Sequence, residues 1–76
     1  MATIYLAVDS DGTECIFDHC PLRKTTYDSK RKSYWESQKQ MQGWVEVPEG
    51  TIEKIIGKKL TWQDQPVKMY DYEEKN

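Results

Sequence analysis

Residues 44–62 read WVEVPEGTIEKIIGKKLTW, and we expect the rest of the chain to be organised around them. Val45 and Val47 alternate with Glu46, which is the period of a strand with one buried face. Residues 48–50, Pro-Glu-Gly, interrupt the strand and turn the chain. The first part of the stretch therefore predicts a strand that ends in a turn.

A short helix is predicted directly after this turn, over residues 51–56. Gly50 or Thr51 serves as its N-cap, and Gly57 ends it because glycine adopts the left-handed conformation at little cost. Its apolar residues recur at spacings of three and four: Ile52, Ile55, Ile56 and Leu60. A helix of about two turns is not stable alone in water, so we expect a sheet to cover its apolar face.

Trp44 and Trp62 flank the helix. Because large aromatic side chains are mostly buried, we interpret both as core residues that close the contact between helix and sheet. On this interpretation, truncating either one to alanine costs about 3–5 kcal/mol.

Two strand-like runs precede this stretch. Residues 3–9 read TIYLAVD, residues 14–18 read ECIFD, and Asp11-Gly12 lies between them. An Asp-Gly pair between two such runs is a strong signal for a β-hairpin. The sequence therefore predicts an N-terminal hairpin.

The register of this hairpin stays open between two alternatives. A two-residue type I′ loop places Leu6 opposite Phe17 and gathers more apolar side chains on one face. A type I turn over residues 9–12, with Gly12 in a bulge, instead places Leu6 opposite Ile16. The apolar pattern favours the first register, and the turn chemistry favours the second.

The remaining segments are less regular. Residues 22–27 are expected to form a third strand, because two threonines and a tyrosine favour a pleated surface. Residues 28–42 are almost wholly polar, and we favour a partial helix or a mobile loop there, with a protruding loop or hairpin as the other alternative. Residues 60–62 and 67–72 are predicted strands, and residues 73–76 should fray.

The composition is that of one small domain. At 76 residues, the chain buries about 60% of the surface that it exposes when unfolded. Apolar residues make up 37% and aromatic residues 12%, which is enough apolar mass to fold. We see no basic leader and no apolar run that could span a bilayer, so we expect a cytoplasmic protein without membrane association.

Cys15, His19 and Cys20 are the candidates for metal binding or nucleophilic catalysis. A zinc site needs a second pair of ligands, and His19 has no evident nucleophile or orienting carboxylate in the sequence. An extended chain separates the cysteines by roughly 16 Å, too far for a disulfide. We therefore predict reduced cysteines, no metal, no cofactor and no enzymatic activity.

Charge is segregated along the chain. The net charge is −2, yet residues 1–22 carry −4, residues 23–39 carry +4 and residues 40–76 carry −2. In the basic segment, Lys30-Arg31-Lys32 precedes Tyr34-Trp35. Cations for phosphates beside rings for base stacking are what a single-strand binder needs.

The candidate binding residues, for a protein partner or for nucleic acid, are Arg23, Lys24, Lys30, Arg31, Lys32, Tyr34 and Trp35. The acidic segments on both sides argue against a nucleic-acid protein of the usual basic type.

Several segments carry a resemblance to a known group: VDSDGTE at 8–14, IFD at 16–18, PLR at 21–23, VPEGTIEKIIGKKLTW at 47–62 and DQPV at 64–67. In this order they resemble small, uncharacterised proteins encoded by bacteriophages and integrated elements of gut bacteria. The resemblance skips about residues 24–43, which look longer and more basic here. It implies a bacterial host and carries over no activity.

We therefore expect a single α+β domain over residues 1–76, with a mostly antiparallel sheet of four or five strands and one short helix packed on one face. As function we favour a non-enzymatic protein-interaction module of phage or mobile-element origin that modulates a host factor or defence system. Its interface would be residues 27–44, an exposed sheet edge or an acidic face. The alternative is a weak single-stranded nucleic-acid binder that uses residues 23–39. The partner's identity and the oligomeric state stay open.

Overall fold

The computed structural model describes residues 3–25, 33–38 and 42–70. In chain order, its elements are β1 (Thr3–Val8), β2 (Glu14–Phe17), β3 (Leu22–Lys24), β4 (Tyr34–Glu36), β5 (Trp44–Val47), α1 (Thr51–Ile56) and β6 (Val67–Tyr70). The main sheet has the order β5-β2-β1-β6, and all its pairings are antiparallel. Strands β3 and β4 form a separate antiparallel pair. The expected α+β class is confirmed, with four strands in the main sheet.

The hairpin of β1 and β2 adopts the register that the turn chemistry favours. Leu6 lies opposite Ile16. The Gly12 amide donates to the Asp9 carbonyl at 2.9 Å, and the Asp9 amide donates to the Thr13 carbonyl at 2.8 Å. Gly12 has a φ of +92°, which glycine adopts without strain. The apolar pattern is the weaker guide here because both faces of the sheet are covered, so the apolar side chains need not share one face.

Helix α1 covers one face of the main sheet and has the predicted bounds. Ile52 is 1% exposed and packs in an aliphatic cluster with Leu6, Val8 and Leu60. Ile55 instead faces solvent, so its predicted place in the buried stripe is wrong. A helix of fewer than two turns contacts the sheet along a narrow stripe, and Ile52 fills it. No helix in the described residues is long and apolar enough to cross a membrane.

The two ends of α1 are fastened in different ways. At the N-terminus, the Glu14 carboxylate of β2 accepts the N–H groups of Gly50, at 2.7 Å, and Ile52, at 2.8 Å. These N–H groups have no partner within the helix, so the sheet satisfies them. At the C-terminus, Gly57 has a φ of +80° and donates to the Glu53 carbonyl at 2.8 Å. Strand β2 therefore holds the helix by hydrogen bonds as well as by packing.

The opposite face of the main sheet carries an aromatic core. Cys15 and Phe17 are buried there together with Trp35, and Trp62 packs against them. The Trp35 indole N–H donates to the Val8 carbonyl at 3.0 Å, which satisfies its polar atom inside the core. Trp62 therefore packs against the core as predicted, but on the face opposite α1, so the prediction that it closes the contact between helix and sheet is wrong.

The prediction that Trp44 is a core residue is wrong. Its side chain is 41% exposed, because β5 is the outermost described strand of the main sheet, and its ring stacks on Phe17 of the neighbouring strand. The buried tryptophan that the sequence did not indicate is Trp35, which is 6% exposed.

The polar middle of the chain contributes a strand. Tyr34–Glu36 pairs with Leu22–Lys24, so a helix or loop at residues 34–36 is wrong, and the strand pairs with a partner before the polar segment instead of protruding from it. Residues 26–32 and 39–41 lie outside the described residues, and the remainder of that prediction falls on them.

Of the two strands predicted in the C-terminal part of the chain, one is absent and one is present. Residues 60–62 do not form a strand, because Leu60 and Trp62 pack against opposite faces of the main sheet and the segment crosses between them. The last strand is confirmed over Val67–Tyr70, and residues 71–76 lie outside the described residues.

Candidate protein interface at the edge of the main sheet

Strand β5 pairs with β2 on one side and with no described strand on the other. Hydrogen-bonded and non-hydrogen-bonded pairs alternate along antiparallel strands. The Asp18 amide donates to the Gly43 carbonyl at 2.8 Å, so the next hydrogen-bonded pair along the strands includes Val45. Val45 therefore directs its backbone groups toward β2, whereas Trp44 and Glu46 direct theirs away from the sheet.

Two side chains of this edge, those of Trp44 and Val45, are apolar and accessible. Val45 is 55% exposed on the helix side of the sheet, beside Ile16. Trp44 lies on the aromatic side, where its ring stacks on Phe17 at a centroid distance of 6.2 Å with the planes 26° apart. One face of the exposed ring thus rests on a buried ring. Natural proteins usually blunt an apolar edge of this kind, because it pairs readily with another chain.

The other edge of the sheet, β6, has such protection. By the same alternation, Lys68 and Tyr70 direct their backbone groups outward. The Lys68 ammonium lies 5.3 Å from the centre of the Tyr70 ring, and its hydrogen bond to Tyr70 raises the pKa of Lys68. A lysine on an edge strand disfavours pairing with a second strand. The two edges therefore differ in charge, because the outward residues of β6 include Lys68 and those of β5 include Glu46.

Carboxylates surround the aromatic side of β5. Burial raises the pKa of the Cys15 thiol to about 12, and the negative charges of Asp9, Glu46 and Asp11 add to the shift. Burial also raises the pKa of Asp9, against the hydrogen bond from the Trp35 amide, and the charges of Asp11 and Glu46 add to it. Among the described residues, no basic side chain forms an ion pair with Glu46. The carboxylates among the described residues therefore make this side of the edge negative.

The structure brings together four of the residues predicted to bind a partner, but places them on two sides of the small sheet. Arg23 lies opposite Trp35, and Lys24 lies opposite Tyr34. Lys24 and Tyr34 are exposed, with the Lys24 ammonium 3.5 Å from the Glu36 carboxylate. Lys30, Arg31 and Lys32 lie outside the described residues.

Arg23 and Trp35 serve the core. The Arg23 guanidinium lies over two tryptophan rings, 4.5 Å from the centre of Trp35 and 4.4 Å from that of Trp62. It also donates to the Trp62 carbonyl at 2.7 Å and to the Asp64 carbonyl at 3.3 Å. The cation and the ring that a nucleic acid would need are thus already engaged, so the interpretation of these two residues as an exposed binding surface does not match their placement.

Asp18, His19 and Ser37 lie in the spatial order of a catalytic triad. His19 Nδ1 is 2.7 Å from the Asp18 carboxylate, and Nε2 is 3.1 Å from the Ser37 hydroxyl oxygen. The hydroxyl, however, donates its proton to the Gln42 carbonyl at 2.6 Å, and Nε2 accepts the Gln38 amide at 2.9 Å. In this arrangement the Ser37 hydroxyl is directed toward the Gln42 carbonyl, and the group ties the end of β2 to the end of β4. The orienting carboxylate that the sequence did not reveal is the adjacent Asp18.

Both cysteines are free thiols. Cys15 is buried, as predicted, and Cys20 is exposed. Among the residues described, no group of three or more His, Cys, Asp or Glu side chains could hold a metal ion.

A half-open cleft of about 640 Å³ lies at the turn end of the sheet, between α1 and residues 59–63. Its lining includes the apolar side chains of Ile52 and Leu60. Its carboxylates Glu14 and Asp9 accept backbone N–H groups, of the helix N-terminus and of Trp35 respectively. These two carboxylates therefore serve the fold.

The sequence predicts a sheet edge as one of three interfaces for a partner, but it places Trp44 in the core. The available signal was Glu46 in the middle of β5. A strand buried on both faces reads as a continuous apolar run, so a carboxylate at its centre indicates an edge or an open face.

In comparisons with known proteins, no family model, no curated protein and no solved structure matches this chain. Its function is therefore argued from geometry.

Proposed function

We propose that this protein is a non-enzymatic interaction module that binds an extended segment of a partner protein as an additional strand beside β5. The observation that supports this proposal is the open edge itself. The outward backbone groups of Trp44 and Glu46 lie beside the exposed side chains of Trp44 and Val45.

Strand addition uses both features of the edge. Backbone hydrogen bonds supply affinity, and side chains on alternate faces supply specificity. Each such bond contributes about 0.5–1.5 kcal/mol net, so the N–H and C=O groups of two residues make a weak, reversible contact. The ring of Trp44, which stacks on Phe17, adds apolar area to the contact, which makes it the natural anchor.

The setting of this interaction follows from the resemblance to phage and mobile-element proteins. We propose that the module acts in the cytoplasm of a bacterial host and that its partner is a host or phage protein.

Single-stranded nucleic acid is the weaker alternative. Of the residues predicted for it, Arg23 and Trp35 are engaged in the core, while Lys24 pairs with Glu36. The edge residues that are open include Glu46, which repels phosphate.

The experiment is selection of random octapeptides displayed on phage, followed by amide exchange measured by NMR on the protein with a selected peptide. In the free protein, we expect slow exchange at Val45 and fast exchange at Trp44 and Glu46. A bound strand should slow exchange at Trp44 and Glu46 by at least about tenfold, because their amides then become hydrogen-bonded.

Proline variants supply a matched control. Glu46→Pro removes an outward N–H and should abolish binding with little loss of stability, whereas Glu46→Ala should keep the fold and most of the binding. Val45→Pro removes an N–H that bonds to β2 and should destabilise the sheet. Selected peptides that bind Glu46→Pro as well as the parent would refute strand addition. Micromolar binding of a fluorescent oligonucleotide at physiological salt, without any peptide binding, would favour the alternative.

A further inference from the structure

We infer that the segment that adds to β5 is antiparallel and basic, with a lysine or arginine opposite Glu46 and a branched apolar residue opposite Val45. This inference rests on the proposed function and names the chemistry of its partner.

The backbone alternation sets the spacing of the partner's residues. Trp44 and Glu46 are the outward residues, so an antiparallel strand would form hydrogen-bonded pairs with both of them. Val45 would then belong to the non-hydrogen-bonded pair between them, in which the two side chains approach more closely. Val45 is branched, apolar and 55% exposed, and a branched apolar residue opposite it forms a favourable cross-strand pair.

The faces of the sheet set the partner's charge. Residues opposite Trp44 and Glu46 project from the aromatic side, where Glu46 lies within electrostatic range of Asp9 and Cys15. Asp9 and Asp11 add negative charge to the same region. A cation opposite Glu46 compensates this charge, and an arginine opposite Trp44 can also stack on its ring. An acidic residue at either position is repelled.

A second copy of this chain fits the edge less well. Self-pairing about Val45 would place Glu46 of each copy opposite Trp44 of the other, and no cation would face either carboxylate. The charge of −2 would also be brought against an equal charge. Complementarity therefore favours a different, basic chain.

The test uses three capped peptides that differ only in whether lysine, glutamine or glutamate fills the same three positions: GSKVKVKSG, GSQVQVQSG and GSEVEVESG. NMR titrations at low ionic strength give their affinities, and amide exchange at Trp44 and Glu46 locates them. We expect the lysine peptide to bind about tenfold more tightly than the glutamate peptide, with the glutamine peptide between them. The ratio should shrink at physiological salt, because exposed charges are screened over about 8 Å.

Two charge variants separate this edge from the general acidity of the protein. Glu46→Gln should reduce the ratio between the lysine and glutamate peptides to about threefold or less, whereas Glu53→Gln, which removes the same charge from the exposed side of α1, should leave it unchanged.

Each remaining outcome contradicts a defined statement. Equal affinities with slowed exchange at Trp44 and Glu46 would overturn the basic chemistry and leave strand addition intact. Slowed exchange that appears with rising protein concentration alone, together with dimers in sedimentation, would identify a second copy as the occupant and overturn the inference. Tight binding of library peptides without lysine or arginine would also overturn it. If neither these nor library peptides slow exchange at the edge, the proposed function itself fails.

Discussion

The two faces of the main sheet are covered by different kinds of contact. On the helix side, an aliphatic cluster is completed by Ile52 and Leu60, which follow β5 closely in the chain. On the aromatic side, Trp35 and Trp62 arrive from separate segments, and Arg23 holds them together. The first face needs apolar volume at the right spacing, whereas the second needs particular donors, rings and a cation. Tolerance to substitution should therefore differ between them.

Each face is also fastened by one carboxylate of the hairpin. The Glu14 carboxylate accepts hydrogen bonds from two N–H groups of the helix N-terminus. The Asp9 carboxylate accepts one from the backbone N–H of Trp35 at 2.8 Å. Hydrogen bonds to charged groups contribute about 1.5–3 kcal/mol when they are sheltered. The two faces therefore differ in their core side chains and also in the hydrogen bonds that hold the covering segments in place.

The largest expected effect is on the helix face. Ile52→Asp places an unpaired carboxylate among aliphatic side chains and should cost more than about 4 kcal/mol, enough to unfold a domain of this size. Ile55→Asp, on the exposed side of the same helix, should cost less than about 1 kcal/mol. Circular dichroism and thermal melts distinguish the two, and equal melting temperatures would show that the helix packs differently.

The next effect is on the aromatic face. Trp35→Ala should cost about 3–5 kcal/mol, because it removes a buried ring and leaves the Val8 carbonyl without its donor. Trp44→Ala should cost less, about 1–2 kcal/mol, since that ring is 41% exposed and lies at the edge of the sheet. Urea unfolding measures both differences in free energy. A larger loss for Trp44 than for Trp35 would reverse the assignment of core and edge.

A smaller effect tests the cation that joins the two tryptophans. Arg23→Lys keeps the charge but loses the planar stacking and one or both carbonyl contacts, so it should cost about 1–2 kcal/mol. Lys24→Ala, at the neighbouring exposed position, should change stability by less than about 0.5 kcal/mol. Similar urea midpoints for the two variants would mean that the guanidinium contacts contribute nothing specific.

The smallest effect is a pH dependence on the aromatic face. Burial raises the folded-state pKa of Asp9 above its ordinary value of 3.8, so the folded protein binds this proton more tightly than the unfolded chain does. The resulting stabilisation is complete below pH 3.8 and is lost as the pH rises through the folded pKa. Asp9→Asn removes this dependence of stability on pH, and its side-chain oxygen still accepts a hydrogen bond from the backbone N–H of Trp35.

The measurement for Asp9 is the difference in unfolding free energy between variant and parent across pH 3 to 7, a range chosen around the ordinary pKa of 3.8. Asp9→Asn should gain stability relative to the parent as the pH rises. Asp9→Ala should instead be less stable throughout, by about 1–3 kcal/mol, because the Trp35 N–H loses its acceptor. A flat difference curve for Asp9→Asn would show that the Asp9 carboxyl is not perturbed.

The same contrast explains what the sequence predicts well. The bounds of α1 depend on local signals, with the turn before Thr51 and Gly57 after Ile56, and they match the structure. The hairpin follows from Asp11-Gly12, whereas its register stays open between two alternatives until the structure shows Leu6 opposite Ile16. These features are decided within a few residues of where they occur.

The features that escaped prediction depend on contacts between distant residues. Trp35 lies in a polar segment. Nothing near it in the chain reveals that its indole N–H donates to the Val8 carbonyl or that the Arg23 guanidinium lies over its ring. The exposure of Trp44 depends on strand order, because β5 is at the edge of the sheet, and local pattern does not encode strand order. The open edge could therefore be named in advance as a kind of site, but its residues could not.

The carboxylate of Glu14 also has a consequence for the order in which the chain folds. Its bonds to Gly50 and Ile52 span 36 and 38 residues, so the helix gains its N-terminal partner only after the hairpin has formed and β5 has docked. A helix of six residues does not persist by itself, and contacts that close long loops slow folding. On a ribosome, Glu14 would emerge well before the segment it caps. The helix should thus be among the last elements to form during synthesis and among the first to open when the hairpin loosens.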